Sequence, residues 1–299
     1  MMITDRLVQQ NEFSSIEKNI AEYLLKEDLK IEQRSARSIA KELFISPSAL
    51  TRFSQKMGYE GFNDFRRAFC DECSYLHFHF QEIDPNYPFK RGDSAMDIAA
   101  KMSTVYQETV MDTCSLLQYE TLERAARILH NARVIYVASS GTSGELAVLF
   151  QEKMARIHKT VVVQSYVDMV FNNASISQKD EAFILMSYSG ETNQMIKLAK
   201  KLKERNVSFI AITSYGQNTL SKYTDTVLNV STREHLNNCI GPFGMNISSM
   251  YLLDTLYACV FRYDYDKNLK EKYEMARGFQ NERNSDNPIL RDETDAGNK

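Results

Sequence analysis

A chain of 299 residues has room for two domains, and 43% hydrophobic with 25% charged residues is the make-up of a globular protein with a sizeable core, not of a disordered or fibrous one. A formal net charge of only -3 excludes a protein-wide basic field, so any surface for nucleic acid must be local. The longest late apolar stretch, Met250 to Phe261, is interrupted by Asp254 and is too short to span a bilayer. No basic-apolar-small leader opens the chain, and its five cysteines are scattered and odd in number, so reduced thiols and a cytoplasmic location are expected, with no membrane partner.

Residues 1 to about 80 carry helical periodicity, as in Ile16, Ile20, Tyr23 and Leu24, and no glycine precedes Gly58. Within this region Ile39, Ala40 and Leu43 form a short apolar face with a small residue where two helices cross. Ser46 and Pro47 then restart the helix as N-cap and first residue. Leu50 and Phe53 are expected to point inward, and Ser48, Ala49, Thr51, Arg52, Gln55 and Lys56 outward, with Gly58 as C-cap. A short helix, a tight turn and a helix with a small, polar and basic outer face make a helix-turn-helix. Arg34 to Arg67 holds seven basic residues against three acidic ones, a local +4. In this arrangement Arg52 reaches a guanine edge, small Ser48 and Ala49 let the helix enter the major groove, and Ser46, Thr51 and Lys56 touch phosphates. A small helical bundle with no ligand has similar spacing. Cys70, Cys73, His77 and His79 lie close together, but structural zinc sites draw ligand pairs from separate segments, so packing is the expected role and no metal is assigned.

Asp84-Pro85-Asn86-Tyr87-Pro88 breaks the helical pattern as a turn or linker. From Ser94 to His130 the pattern is helical again, with Ile98, Met102, Val105 and Val110 as an apolar stripe. After Arg133 short apolar runs alternate with helical segments: Val134–Val137, Val161–Val163, Phe183–Met186, Phe209–Ile212 and Val227–Val230. Strands apolar on both faces predict a doubly wound, five-stranded parallel sheet flanked by helices, an α/β domain behind an all-helical one. The expected limits are 1–80 for the helix-turn-helix domain, 81–107 for a linker and connecting helix, 108–279 for the sheet domain and 280–299 for a flexible polar tail.

Two strand-to-helix turns carry the chemistry. Ser187-Tyr188-Ser189-Gly190-Glu191-Thr192 places hydroxyls and a glycine where a helix start offers unpaired amides and the positive end of its dipole. Ser139-Ser140-Gly141-Thr142-Ser143-Gly144 is a second turn of the same kind. Two such turns from one parallel sheet converge on a single ligand at its carboxyl edge. Neither G-x-G-x-x-G nor Gly-Lys-Ser/Thr occurs, which disfavours dinucleotide and nucleotide binding, and no cofactor is assigned.

Gly141-Thr142-Ser143, the hexapeptide from Ser187 and Ile212-Thr213-Ser214 resemble the sugar isomerase (SIS) domain family over roughly residues 108 to 265. That resemblance implies that the hydroxyls of Thr142, Ser143, Ser187, Ser189 and Thr192 hold the phosphate of a phosphosugar. Ser140, Gly141, Tyr188 and Gly190 complete the lining, and Glu234 borders the sugar. Ser139 departs from the family, where glycine is frequent. Leu50-Thr51-Arg52-Phe53, followed by Lys56-Met57-Gly58-Tyr59-Glu60-Gly61-Phe62 and Phe65-Arg66, is similar to the N-terminal domain of the RpiR family of bacterial regulators, which joins a helical domain to an SIS domain in this order. The resemblance implies a transcription regulator of carbohydrate metabolism, not an enzyme, that binds a double-stranded operator and responds to a phosphosugar. It further implies a homodimer or homotetramer whose reading helices lie about 34 Å apart or a multiple of it. The alternative is a phosphosugar isomerase or lyase with a helical accessory domain, for which Glu191, Glu234 and His235 are the candidate acids and bases.

Overall fold

A computed structural model describes residues 3–10, 13–79, 83–139, 141, 143–164 and 167–278. The N-terminal region is helical: α1 (Ile3–Gln9), α2 (Ser15–Glu27), α3 (Ala36–Glu42), α4 (Pro47–Lys56) and α5 (Phe62–His79). Local sequence sets these ends. Ser14 accepts the Glu17 amide at 3.4 Å while the Glu17 carboxylate accepts the Ser14 amide at 2.7 Å, a reciprocal capping box that starts α2. Ser35 caps α3 through the Ser38 amide, and Pro47 opens α4. Ile20, Leu24, Ile39, Leu50, Phe53, Phe65 and Phe69 meet in one core. There the Phe65 ring lies edge-on to Phe53 at 5.7 Å and stacks on Phe69 at 6.0 Å. Buried Glu72 of α5 accepts the Ile3 and Thr4 amides at 2.7 Å each, which ties α1 into the bundle. Cys70 and Cys73 are buried in this core, and among the described residues no His, Cys, Asp or Glu cluster suits a metal ion. The side chains of His77 and His79 lie outside the described residues, as do residues 280–299.

The second half alternates: α6 (Ala95–Ser115), α7 (Tyr119–Asn131), β1 (Val134–Ser139), α8 (Ser143–Ala155), β2 (Thr160–Val163), α9 (Val167–Ile176), β3 (Glu181–Met186), α10 (Asn193–Arg205), β4 (Ser208–Ser214), β5 (Val227–Val230), α11 (Phe243–Tyr263) and α12 (Tyr265–Gly278). The five strands are parallel throughout, in the order β2-β1-β3-β4-β5. Side chains alternate between faces. Ile135, Val137, Ile184, Ile210 and Leu228 pack against α7, α8 and α11, while Phe183, Leu185, Phe209 and Ala211 pack against α9 and α10. Covering both faces is what makes each strand apolar along its whole length.

One expectation fails in α6. Of the stripe Ile98, Met102, Val105 and Val110, only Val105 is fully buried, and the deepest positions are otherwise Thr109, Asp112 and Thr113. The reason is its neighbour. The helix lies on α11 and on the loop after β5, where Ser231 donates to Asp112 Oδ2 at 2.5 Å and Thr113 Oγ1 sits 3.0 Å from Ser248 Oγ. A polar seat selects polar side chains. No described helix is long and apolar enough to cross a membrane.

Candidate functional site

The two hydroxyl-bearing turns leave β1 and β3, which are neighbours in the sheet and paired to their ends, Ser139 opposite Met186. From this pair the chain winds outward to β2 on one side and to β4 and β5 on the other. The turns therefore flank the crevice where the winding direction reverses, the place where open parallel sheets bind ligands.

The turn after β3 is built tightly. Ser187 is buried and its Oγ lies 2.9 Å from Thr192 Oγ1, so two of the expected hydroxyls form one donor pair. Ser189 Oγ accepts the Glu191 amide at 3.1 Å, and the Gly190 amide donates to Ser187 O at 3.1 Å. Gly190 has φ +66°, and a Cβ there would lie 2.1 Å from Asn218 Oδ1, so a side chain is excluded. Asn218 in turn donates to Thr213 Oγ1 at 3.1 Å, and the Ser214 amide donates to Tyr188 O at 2.9 Å, which fixes the turn to the end of β4. Thr192 is the N-cap of α10 yet makes no side-chain cap bond, because its hydroxyl faces Ser187 instead. In the turn after β1, Gly141 takes φ +70° and Ser143 begins α8 in a buried position. Ser140 and Thr142 lie outside the described residues.

Both candidate acids are already engaged. Glu191 Oε1 accepts the Thr219 amide at 2.8 Å. Glu234 is 8% exposed, and its oxygens accept the Gly244 amide at 2.5 Å and the Met245 amide at 2.8 Å, capping α11. Burial pushes the Glu234 carboxyl above the ordinary carboxylate range, against the pull of the Gly244, Met245 and Phe243 amides. His235 follows with an exposed side chain.

In the helical half, α3 and α4 pack at a turn that contains Phe44 at φ +55° and 97% exposure. Ser46, Ser48, Thr51, Arg52 and Lys56 are exposed and Ala49 is half-buried. Ser46 Oγ and Ser48 Oγ lie 2.8 Å apart at the start of α4. Lys56 differs from Arg52, as it pairs with Glu17 at 2.9 Å and sits 5.5 Å over the Phe13 ring. Arg34 is held by Glu27 and Glu42 at 3.0 and 2.5 Å. Among the described residues Arg37, Lys41 and Arg52 have no ion-pair partner, and all three are exposed. Arg37 and Lys41 were not singled out from sequence, although their place on the outer side of the apolar face at Ile39 and Ala40 carries that signal.

Residues 3–75 match the helix-turn-helix domain of the rpiR family, and residues 128–258 match the SIS domain. The chain belongs to the RpiR family. Its relatives include an HTH-type transcriptional regulator of Clostridium perfringens, 26% identical over 274 residues that cover 89% of this chain and 94% of the relative. They also include the HTH-type regulator YbbH of Bacillus subtilis, 24% identical with 88% of each chain covered. The NanR protein of Vibrio vulnificus, solved in complex with ManNAc-6P, shares the fold over 94% of this chain and 99% of that one, with a TM-score of 0.60 at 20% identity. This RpiR-family chain is thus a helix-turn-helix transcriptional regulator with an SIS domain, and the isomerase or lyase alternative is set aside.

Proposed function

We propose that the crevice between β1 and β3 binds the phosphate of a phosphosugar and that its occupancy alters the hold of α4 on operator DNA. The observation that carries this is the paired placement of the two turns on neighbouring strands at the winding reversal, with Ser187 and Thr192 hydroxyls 2.9 Å apart. Neutral hydroxyls and helix-start amides suit a dianion, and they supply no acid or base. The lining is Ser140, Gly141, Thr142 and Ser143 from one turn and Ser187, Tyr188, Ser189, Gly190 and Thr192 from the other. Glu234 serves this site by holding α11 in place. With Glu191 and Glu234 both spent on backbone amides, sensing is favoured over turnover. An effector of the chemical class that the Vibrio vulnificus relative was solved with, a sugar phosphate, fits these donors.

On the DNA side, α4 enters the major groove, Arg52 reads a base edge, and Ser46, Thr51, Arg37 and Lys41 meet phosphates. Ser48 and Ala49 allow close approach, and Lys56 helps by ordering α4 against α2. A second copy completes a two-fold reader. A groove of about 400 Å³ lined by Val110, Ile247, Met250 and Tyr251, with Met111 and Leu149 exposed elsewhere on α6 and α8, supports pairing through the sheet domain.

The test is operator binding by the full chain, titrated with a panel of sugar phosphates. Wild type is expected to shift its affinity about 5–150-fold with the right effector. The double variant Ser189→Ala with Thr192→Ala should keep operator binding and lose that shift, and a normal response from it would place the pocket elsewhere. Arg52→Ala should weaken the operator complex more than the complex with random DNA; equal losses would make Arg52 a phosphate contact only.

A further inference from the structure

The segment joining the two domains is docked, residue by residue, on the loop that follows β5. Asp84 Oδ1 accepts the Asn86 amide and Nδ2 at 2.9 Å each, closing a tight turn. Asn86 is buried, and its other groups all go to that loop. Nδ2 donates to Arg233 O at 3.1 Å, Oδ1 accepts the His235 amide at 2.7 Å, and its carbonyl accepts the Ile240 amide at 3.1 Å. Tyr87 donates its hydroxyl to Asn238 Oδ1. The loop answers through Arg233, whose side chain is 3% exposed. One nitrogen donates to Ile83 O at 3.2 Å and another pairs with Glu108 of α6 at 2.6 Å.

The same loop also grips the turn after β3. Tyr188 donates its hydroxyl to Glu234 O at 2.8 Å and accepts the Glu234 amide at 3.2 Å. Tyr188 therefore belongs to the ligand turn at its backbone and to the linker's seat at its hydroxyl. One loop, Ser231 to Ile240, touches both.

We propose that Tyr188, the loop from Ser231 to Ile240 and Asn86 form one hydrogen-bonded relay, so that the state of the ligand turn and the docking of the linker are a single linked equilibrium. The consequence is a change of tether. With Ile83 docked, four residues of chain lead from the end of α5 at His79, a reach of at most about 14 Å. Released as far as Ala95, the start of α6, sixteen residues reach about 55 Å. A docked linker thus holds the DNA-reading domain on a short tether, and a released one gives it a several-fold longer reach. This inference rests on the effector reading for its physiological trigger, but the coupling itself exists without a ligand.

The experiment therefore adds none. Hydrogen exchange and limited trypsin cleavage are followed on the full chain, with cleavage at Lys90 and Arg91 reporting release of the linker. Tyr188→Phe keeps the ring and removes the hydroxyl. Losing both part-buried hydrogen bonds to the Glu234 backbone, it is expected to speed exchange of the Ile240 and Asn86 amides and cleavage at Lys90 or Arg91 by at least about tenfold. Ser175→Ala, which removes a hydroxyl bonded to Phe171 O within α9 and outside the relay, should leave the linker as in wild type. Asn86→Ala approaches from the other end and should loosen residues 187–192 by a similar factor, since coupling is reciprocal. Linker amides that stay at the wild-type rate in Tyr188→Phe, or a ligand turn unmoved by Asn86→Ala, would overturn the relay. A chain with the relay intact but no response to any sugar phosphate would refute the effector reading alone.

Discussion

Two residues with left-handed backbone make opposite predictions. At Gly190 the φ of +66° coincides with a Cβ position 2.1 Å from Asn218 Oδ1 and 2.7 Å from Asn218 Cβ. Gly190→Ala must displace Asn218, which accepts the Ser221 amide at 3.0 Å and donates to Thr213. A loss of about 2–4 kcal/mol is expected, read by denaturant unfolding of the sheet domain. Phe44 has the same backbone and none of the crowding. It is a non-glycine at φ +55° with a ring that is 97% exposed, so it bears left-handed strain and its ring finds almost no packing. Phe44→Gly should stabilise the helical domain by up to about 1 kcal/mol, seen as a higher midpoint in thermal unfolding. A lower midpoint would mean that the ring is doing structural work in the turn.

Among the elements, α11 depends at its start on a residue outside the helix. Its first amides are satisfied by Glu234, and Gly244 comes so close that an added Cβ would meet that carboxylate at 3.3 Å. Glu234→Ala leaves one buried and one part-buried amide unpaired and is expected to cost about 2–4 kcal/mol, with α11 amides exchanging faster. Glu234→Gln keeps one acceptor and should cost less. The strands were legible in the sequence because burial on both faces writes itself as runs such as Phe183 to Met186. The reading helix was legible because Ser46, Pro47, Leu50 and Phe53 combine a cap with one apolar face. What stayed hidden has long-range polar partners. Asp112 and Arg233 look like surface charges until Ser231 and Glu108 are brought beside them, and Asn86 looks like part of a solvated turn. The roles of Glu191 and Glu234 were hidden likewise, since a carboxylate capping amides leaves no pattern at neighbouring positions.

Across the whole molecule, ionic anchoring predicts the response to acid. The Ser14 amide, with Lys56 beside it, holds the Glu17 carboxyl below its usual 4.5. Hydrogen bonds from Ser94 lower Asp97, Lys101 lowers Asp93, and Arg262 lowers Glu123. Each folded value lies below its unfolded one, so these contributions are complete above about pH 4.5 and fade as pH falls through the folded values. Glu234 runs the other way, its contribution fading as pH rises through its raised value. The thermal midpoint should therefore drop on acidification below about pH 4.5, with a shallower drop in Glu17→Gln. An unchanged slope in that variant would show that the capping box is not among the groups that titrate.

The polar seat of α6 sets an order of events during synthesis. Its buried Asp112 waits for Ser231, 119 residues later, and the sheet core waits for α11. The helical bundle closes entirely within the residues up to His79. At about 5–20 residues per second, the ribosome takes roughly 10–35 s to pass from α5 to Leu256 of α11. For that interval each newly made chain has its helix-turn-helix domain assembled and its SIS domain still unfinished.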